Sequence, residues 1–193
     1  MSATVHRRSI RLSFAAGCSR ILPPALVLTV LVLLAGVKAG LEPGGVILLA
    51  AGVVGIPGAV YKGAKPLFRR RGIPDSRRIR IVAVLMLIGT VICWAIPLEA
   101  PIPLTVAALF LGNAVLVFLR RRLDVSAHVS VLTFAVLWVT ALFGGGWAWL
   151  LILSPLMMFS RVALREHTRH EALAGAALGG ATFSCFLVAM TWS

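Results

Sequence analysis

Acidic side chains are scarce in this chain: six in 193 residues, of which Asp75 and Asp124 are the two aspartates. Repeated Asp-rich segments that hold a diphosphate through Mg²⁺ are thereby excluded, because hard cations need several carboxylate oxygens. Cysteine is scarcer still. Cys18, Cys93 and Cys185 are scattered and form no C-x-x-C pair, which leaves no disulfide framework and no thiolate metal site. Cys93 and Cys185 fall within apolar runs, where cysteine acts as a small hydrophobe. The chain also lacks a low-complexity linker and a soluble domain. It has no internal repeat and no matched pair of broken helices, which argues against a small transporter.

What is present in excess is apolar surface and positive charge. Hydrophobic residues make up 60% of the chain, the mean hydropathy is +0.98 and the formal net charge is +13. A soluble protein of this size has no way to hide that much apolar surface, so the bilayer is the solvent for much of the chain. Spanning its hydrocarbon layer takes roughly 20 apolar residues in a helix. Seven stretches qualify: 21–37, 44–61, 79–97, 102–119, 126–143, 144–159 and 172–192. The sixth is the shortest and contains Pro155. The expected fold is all-α, a polytopic transmembrane helical bundle of six to seven spans. A basic cytoplasmic tail over 1–20 precedes a single membrane domain over 21–193. The stretch 21–37 is long for a signal-peptide core and has no convincing cleavage site, so it reads as a retained first span.

The positive charges alternate with the spans. Four arginines lie in the tail, eight Lys/Arg in 62–80, three in 120–122, and three more are Arg161, Arg165 and Arg169; only Lys38 falls elsewhere. Seven spans place all four basic segments on one side, which the positive-inside rule makes cytoplasmic, with the N-terminus inside and the C-terminus outside. Trp94, Trp147, Trp149 and Trp192 fall near the opposite ends of their spans, as an interfacial aromatic belt requires. Clustering between apolar segments assigns the basic charge to topology and anionic headgroups, not to nucleic acid. Gly52, Gly55, Pro57 and Gly58 allow close helix approach or kinks. Gly175 and Gly179 form a G-x-x-x-G pair, suited to packing within the chain or to a dimer contact.

Polar residues at membrane depth are expensive, so those near span ends carry the chemistry. The segment 160–175 begins Ser160-Arg161 and continues through His167 and Glu171 to Gly175. If helical, His167 and Glu171 stand at i and i+4 on one face. A carboxylate there can hold the proton of one imidazole nitrogen and leave the other free to attack. Arg161 and Arg165 add fixed positive charge suited to phosphate. The alternative is an ordinary helix-surface pair. His170 faces away from His167 on such a helix. His167, His170 and Glu171 do not match a usual zinc spacing, and no cysteine assists them.

This segment resembles the third motif of the type 2 phosphatidic acid phosphatase superfamily, Ser-Arg, five residues, His, three residues, Asp. Ser160, Arg161 and His167 match, and Glu171 replaces the Asp. The family's second motif, Pro-Ser-Gly-His, is similar to Val125-Ser126-Ala127-His128, where Ser126 and His128 match. Its first motif, Lys, six residues, Arg-Pro, finds Lys62 and Arg69 at the right spacing with Arg70 in place of Pro. Lys65, Arg70 and Arg71 are further candidates. The resemblance covers roughly 62–181. A Pro-Asp-x-Arg type segment, here Pro74 to Arg77, resembles a divergent branch with two extra spans before the second motif.

The resemblance implies phosphoryl transfer through a phosphohistidine without a metal or other cofactor. His167 is then the nucleophile, Glu171 its orienting carboxylate and His128 the acid that protonates the leaving alcohol. Arg161, Lys62 and Arg69 neutralise the phosphate oxygens, with Ser126 and Ser160 also at the phosphate. The expected substrate is a lipid or isoprenyl mono- or diphosphate, reached from the cytoplasmic face of a bacterial plasma membrane. The alternative is a catalytically degenerate member that binds an anionic lipid or acts as a scaffold. The departures at Val125, Ala127, Arg70 and Glu171 favour it, and the retention of both histidines opposes it.

Overall fold

The structure is a computed structural model that describes residues 17, 21–120 and 122–192, without the Asp75 side chain. The tail arginines Arg7, Arg8, Arg11 and Arg20, with Cys18 and Arg121, lie outside the described residues. Every regular element among the described residues is helical: α1 (Pro24–Lys38), α2 (Pro43–Ala50), α3 (Ile56–Arg70), α4 (Asp75–Ala95), α5 (Pro101–Leu119), α6 (Ala127–Phe143), α7 (Leu153–Ala163) and α8 (Arg169–Met190). A π-helical turn, Ala51–Gly55, joins α2 to α3, and a 3₁₀ segment, Gly145–Ile152, leads into α7. Counting those joined pieces as single rods, five helices are long and apolar enough to cross a membrane, and Pro24–Lys38 and Ala127–Phe143 are apolar but shorter. The chain is therefore an integral membrane protein with the expected all-α architecture.

Two expected boundaries move. The second span does not end at Tyr61: the helix runs on through Lys62, Lys65, Arg69 and Arg70, so the basic connection is only the short turn 71–74. Running out of apolar residues does not end a helix; a capping signal does. That signal is Gly72 with φ +63, whose N–H donates to the Arg69 carbonyl while Ile73 N–H donates to Phe68. This is a Schellman turn, with glycine at the left-handed position. The sixth span is continuous over Gly145–Ala163. Pro155 lies just after the 3₁₀ segment passes into α7, where the change of helix type accommodates a residue without an N–H.

The described residues form two compact units, one of 17, 21–27 and 115–184 and the other of 28–114 with 185–192. In the second, α1 ends in another Schellman turn, with Gly40 at φ +72 and Leu41 N–H donating to the Gly36 carbonyl. A side chain at Gly52 or Gly58 would meet nothing within 4 Å, so neither glycine serves a close helix approach among the described residues. The π turn precedes Pro57, which has no N–H for the helical ladder. Arg78, 5% exposed on α4, donates to the Tyr61 carbonyl of α3 at 3.1 Å and stands 4.7 Å over the Tyr61 ring.

In the first unit the G-x-x-x-G pair acts within the chain. A Cβ on Gly175 would stand 2.7 Å from the Ser126 carbonyl oxygen, and one on Gly179 2.9 Å from Thr133 Cβ and closer still to the Ser130 carbonyl. The α8 backbone therefore lies directly on α6. Thr133 and Ser154 share a 2.6 Å hydrogen bond between α6 and α7. Buried Leu116, Val125 and Leu178 close the core beneath the α5–α6 loop. These contacts fix the two segments that carry the histidines.

Candidate functional site

The site grows from two connections of the first unit. The first is the turn between α7 and α8. Helix α7 ends in a third Schellman turn: Arg165 N–H donates to the Val162 carbonyl at 3.0 Å and Glu166 N–H to the Arg161 carbonyl at 3.1 Å. Its left-handed residue is not glycine but Arg165, at φ 57, a conformation that costs a non-glycine residue about 1 kcal/mol. Helix α8 then opens with a capping box. Thr168 N–H donates to Glu171 Oε2 at 2.8 Å, and Glu171 N–H donates to Thr168 Oγ1 at 3.3 Å.

Between these two caps stands His167. It is not on a helix, so the expected i, i+4 helical face is corrected: the helix starts only at Arg169 because Thr168 caps it. The pairing survives by another route. His167 Nδ1 lies 3.4 Å from Glu171 Oε2 and 3.9 Å from Asp124 Oδ2, and the ring is 7% exposed. The 3.4 Å approach misses hydrogen-bond geometry, so it is electrostatic contact and not a formed hydrogen bond. Glu171 Oε2 thus serves the cap and the imidazole together.

The second connection is the α5–α6 loop. Arg120 Nε reaches the Val125 carbonyl at 3.5 Å and Asp124 Oδ1 at 3.9 Å, curling the loop back on the end of α5. Ser126 precedes α6, and its N–H donates to the Glu171 carbonyl at 3.3 Å, tying the two connections. Ser126 is fully buried, and its Oγ has no hydrogen-bond partner among the described residues. His128 lies in the first turn of α6, with Arg161, Glu166, His167 and Arg120 within coulombic reach. Arg161, at the end of α7, has a side chain 13% exposed and forms an ion pair with Glu166. Ser160 is buried beside it in the chain.

Of the residues singled out in the sequence, Ser126, His128, Ser160, Arg161, His167 and Glu171 all belong to this unit. Lys62 and Arg69 are exposed on α3, which belongs to the other unit. His170 is exposed, as expected. Sequence reasoning missed Thr168, Glu166 and the role of Asp124. The T-x-x-E pattern of a capping box was present as a signal for Thr168. Arg161 and Glu166 are five apart, a spacing that pairs in no regular helix, and only the turn brings them together. Among the described residues no group of three or more His, Cys, Asp or Glu is placed to hold a metal ion. Comparisons of the chain with protein-family models, curated proteins and solved structures give no match.

Proposed function

We propose that the protein is a membrane phosphatase that hydrolyses a lipid or isoprenyl phosphate through a phosphohistidine, as a divergent relative of the type 2 phosphatidic acid phosphatases. The observation that carries this reading is His167, with Nδ1 held toward two carboxylates beside the half-sunk cation Arg161 and within coulombic reach of His128. Carboxylates at Nδ1 favour its protonated tautomer and leave Nε2 with the lone pair.

In the first step Nε2 of His167 bonds to phosphorus while the ester P–O bond breaks. His128, which takes up a proton when the phosphate dianion settles beside it, gives that proton to the departing alkoxide, which leaves as the alcohol. In the second step water attacks phosphorus, His128 takes its proton, and the P–N bond breaks to release inorganic phosphate. Asp124 and Glu171 stabilise the charge that His167 carries in the intermediate. Arg161 holds the phosphate oxygens, and buried Ser126 ties the loop that carries His128 to the Glu171 carbonyl. Positioning and charge stabilisation supply most of the barrier reduction. One-sided clustering of Lys and Arg supports a site on the cytoplasmic face, which suits substrates made inside the cell.

Phosphate release by purified protein in detergent tests the reading. Phosphatidate, phosphatidylglycerol phosphate and isoprenyl mono- and diphosphates are offered with EDTA present. Release that persists in EDTA and disappears in His167→Ala and His128→Ala supports the mechanism. No release from any substrate by well-folded protein overturns it in favour of a catalytically degenerate anionic-lipid binder or scaffold. Sided vesicles that turn over only substrate supplied from the external face overturn the orientation.

A further inference from the structure

The candidate site contradicts the charge of the chain that contains it. The chain carries a formal net charge of +13, yet three of its six carboxylates, Asp124, Glu166 and Glu171, gather around His167 and Arg161. Among the described residues, Arg120 pairs with Asp124 and Arg161 with Glu166. A site for a phosphate dianion should be electropositive where the anion lands. Asp124 and Glu171 have a use at the imidazole. Glu166 has none there: its carboxylate sits on Arg161.

Geometry makes that occupancy deliberate. Glu166 is tied to Arg161 twice, by its backbone N–H to the Arg161 carbonyl at 3.1 Å and by the side-chain ion pair. The turn that creates the double tie requires Arg165 in the left-handed region at φ 57, where glycine is the unstrained choice. Strain of this kind persists where surrounding structure demands it. The two partners also differ in depth. The Arg161 side chain is 13% exposed and that of Glu166 is 46% exposed, so the acid forms the outer member of the pair.

We infer that Glu166 is a tethered anion that occupies the phosphate position on Arg161 in the empty site and must be displaced by the incoming phosphate. It acts on affinity through Arg161 and is a specificity-determining residue, not a catalytic one. The inference rests on the phosphatase reading for the identity of the ligand, but the displacement itself needs only an anion site at Arg161. A phosphate dianion competes for a guanidinium better than a singly charged anion does, so the tether screens out weak anions such as free carboxylates and chloride. A solvent-facing ion pair of this kind shifts affinity by about twofold to fivefold, and the sunken Arg161 places the effect at the upper end.

The experiment is calorimetric binding of inorganic tungstate, a non-hydrolysed phosphate mimic, to the full chain in detergent. Wild type, Glu166→Gln, Arg161→Ala and the double variant are compared. Glu166→Gln is expected to lower the tungstate Kd about fivefold and to make chloride a better competitor. Arg161→Ala is expected to remove most binding, and the double variant to show no gain from Glu166→Gln. A Glu166→Gln protein that binds tungstate equally or more weakly overturns the inference, as does a gain that persists without Arg161. Failure of every form to bind at millimolar tungstate also overturns it. If Glu166→Gln proves unstable, Glu166→Asp retains the backbone tie but withdraws the carboxylate, and the same tightening is expected. Turnover is measured separately. Tighter tungstate binding with no hydrolysis by wild type sinks the phosphatase reading alone; hydrolysis with unchanged tungstate binding sinks the tether alone.

Discussion

Among the described residues, three helices end in the same hydrogen-bonded turn, and they differ in the residue at its left-handed position. After α1 it is Gly40 and after α3 it is Gly72; after α7 it is Arg165. The two glycine turns only end helices and redirect the chain. The arginine turn places Glu166 on Arg161 and leads directly into His167. A parallel contrast separates the two sunken arginines. Arg78 donates to a carbonyl and stands over an aromatic ring, so its charge is absorbed by internal packing between α3 and α4. Arg161 faces a half-exposed carboxylate, the group that the inferred displacement by an external anion would move. Basic residues placed alike by topology thus serve different ends, and the identity of the partner separates them.

The widest separation is expected when each arginine is removed. Arg161→Ala should lower kcat/KM for the preferred lipid phosphate by about 10²- to 10³-fold, the usual loss of one oxyanion-stabilising donor. Arg78→Ala should leave turnover per folded molecule unchanged and destabilise the protein by about 1–3 kcal/mol, since a buried hydrogen bond and a cation–π contact go together. Steady-state kinetics and denaturant titration in detergent measure the two effects. Activity loss in Arg78→Ala at full folding would erase the contrast.

A second comparison lies within one helix. Gly179→Ala forces a methyl against the Ser130 carbonyl and Thr133, whereas Gly180→Ala points a methyl at nothing within 4 Å. The first should destabilise by about 1–3 kcal/mol as overpacking. The second should be neutral or stabilise by up to about 1 kcal/mol through helix propensity. Equal stabilities for the two variants would mean that α8 does not lie on α6 through this face.

Much of this was legible in the sequence, and the gaps have physical causes. Apolar run length and the spacing of Lys and Arg give the helices and their order. The glycines of the last span announce close packing, because nothing else lets two backbones touch. Lys62–Arg70 were read as a connection because hydropathy marks membrane depth, not helix ends; Gly72 followed by Pro74 carried the true stop. His167 and Glu171 were rightly paired for the wrong reason. A helical period put them on one face, whereas a cap on Thr168 brings them together from outside the helix. Arg161 and Glu166 were beyond reach, since their contact depends on a left-handed residue that the sequence does not signal with glycine. Lys62 and Arg69 were drawn from a resemblance to the first motif of the family, and both lie exposed on α3.

The capping box offers a smaller test of the same turn. Thr168→Ala removes the hydroxyl that accepts Glu171 N–H and should cost about 1 kcal/mol of stability. Because Glu171 also faces His167, turnover should fall further than the folded fraction does. Thr168→Ser keeps the hydroxyl and should restore both. A variant that loses stability and activity in the same proportion would make the cap purely structural.

The smallest expected effect is the most discriminating, because its sign differs between the two kinds of turn. Arg165→Gly relieves the left-handed strain at φ 57 and should stabilise the protein by about 0.5–1 kcal/mol, the greater freedom of glycine in the unfolded chain offsetting part of the gain. Gly72→Ala, at φ +63 with open space around it, should destabilise by about 1 kcal/mol for the mirror-image reason. Thermal denaturation in detergent gives both signs. Functionally the two should part again. Gly72→Ala should leave tungstate affinity at Arg161 unchanged. Arg165→Gly keeps the Schellman bonds but loosens the residue that aims Glu166, so the carboxylate yields more easily and tungstate should bind slightly tighter. A more stable Arg165→Gly protein with unaltered tungstate affinity would mean that the strain serves something other than the Glu166 tie.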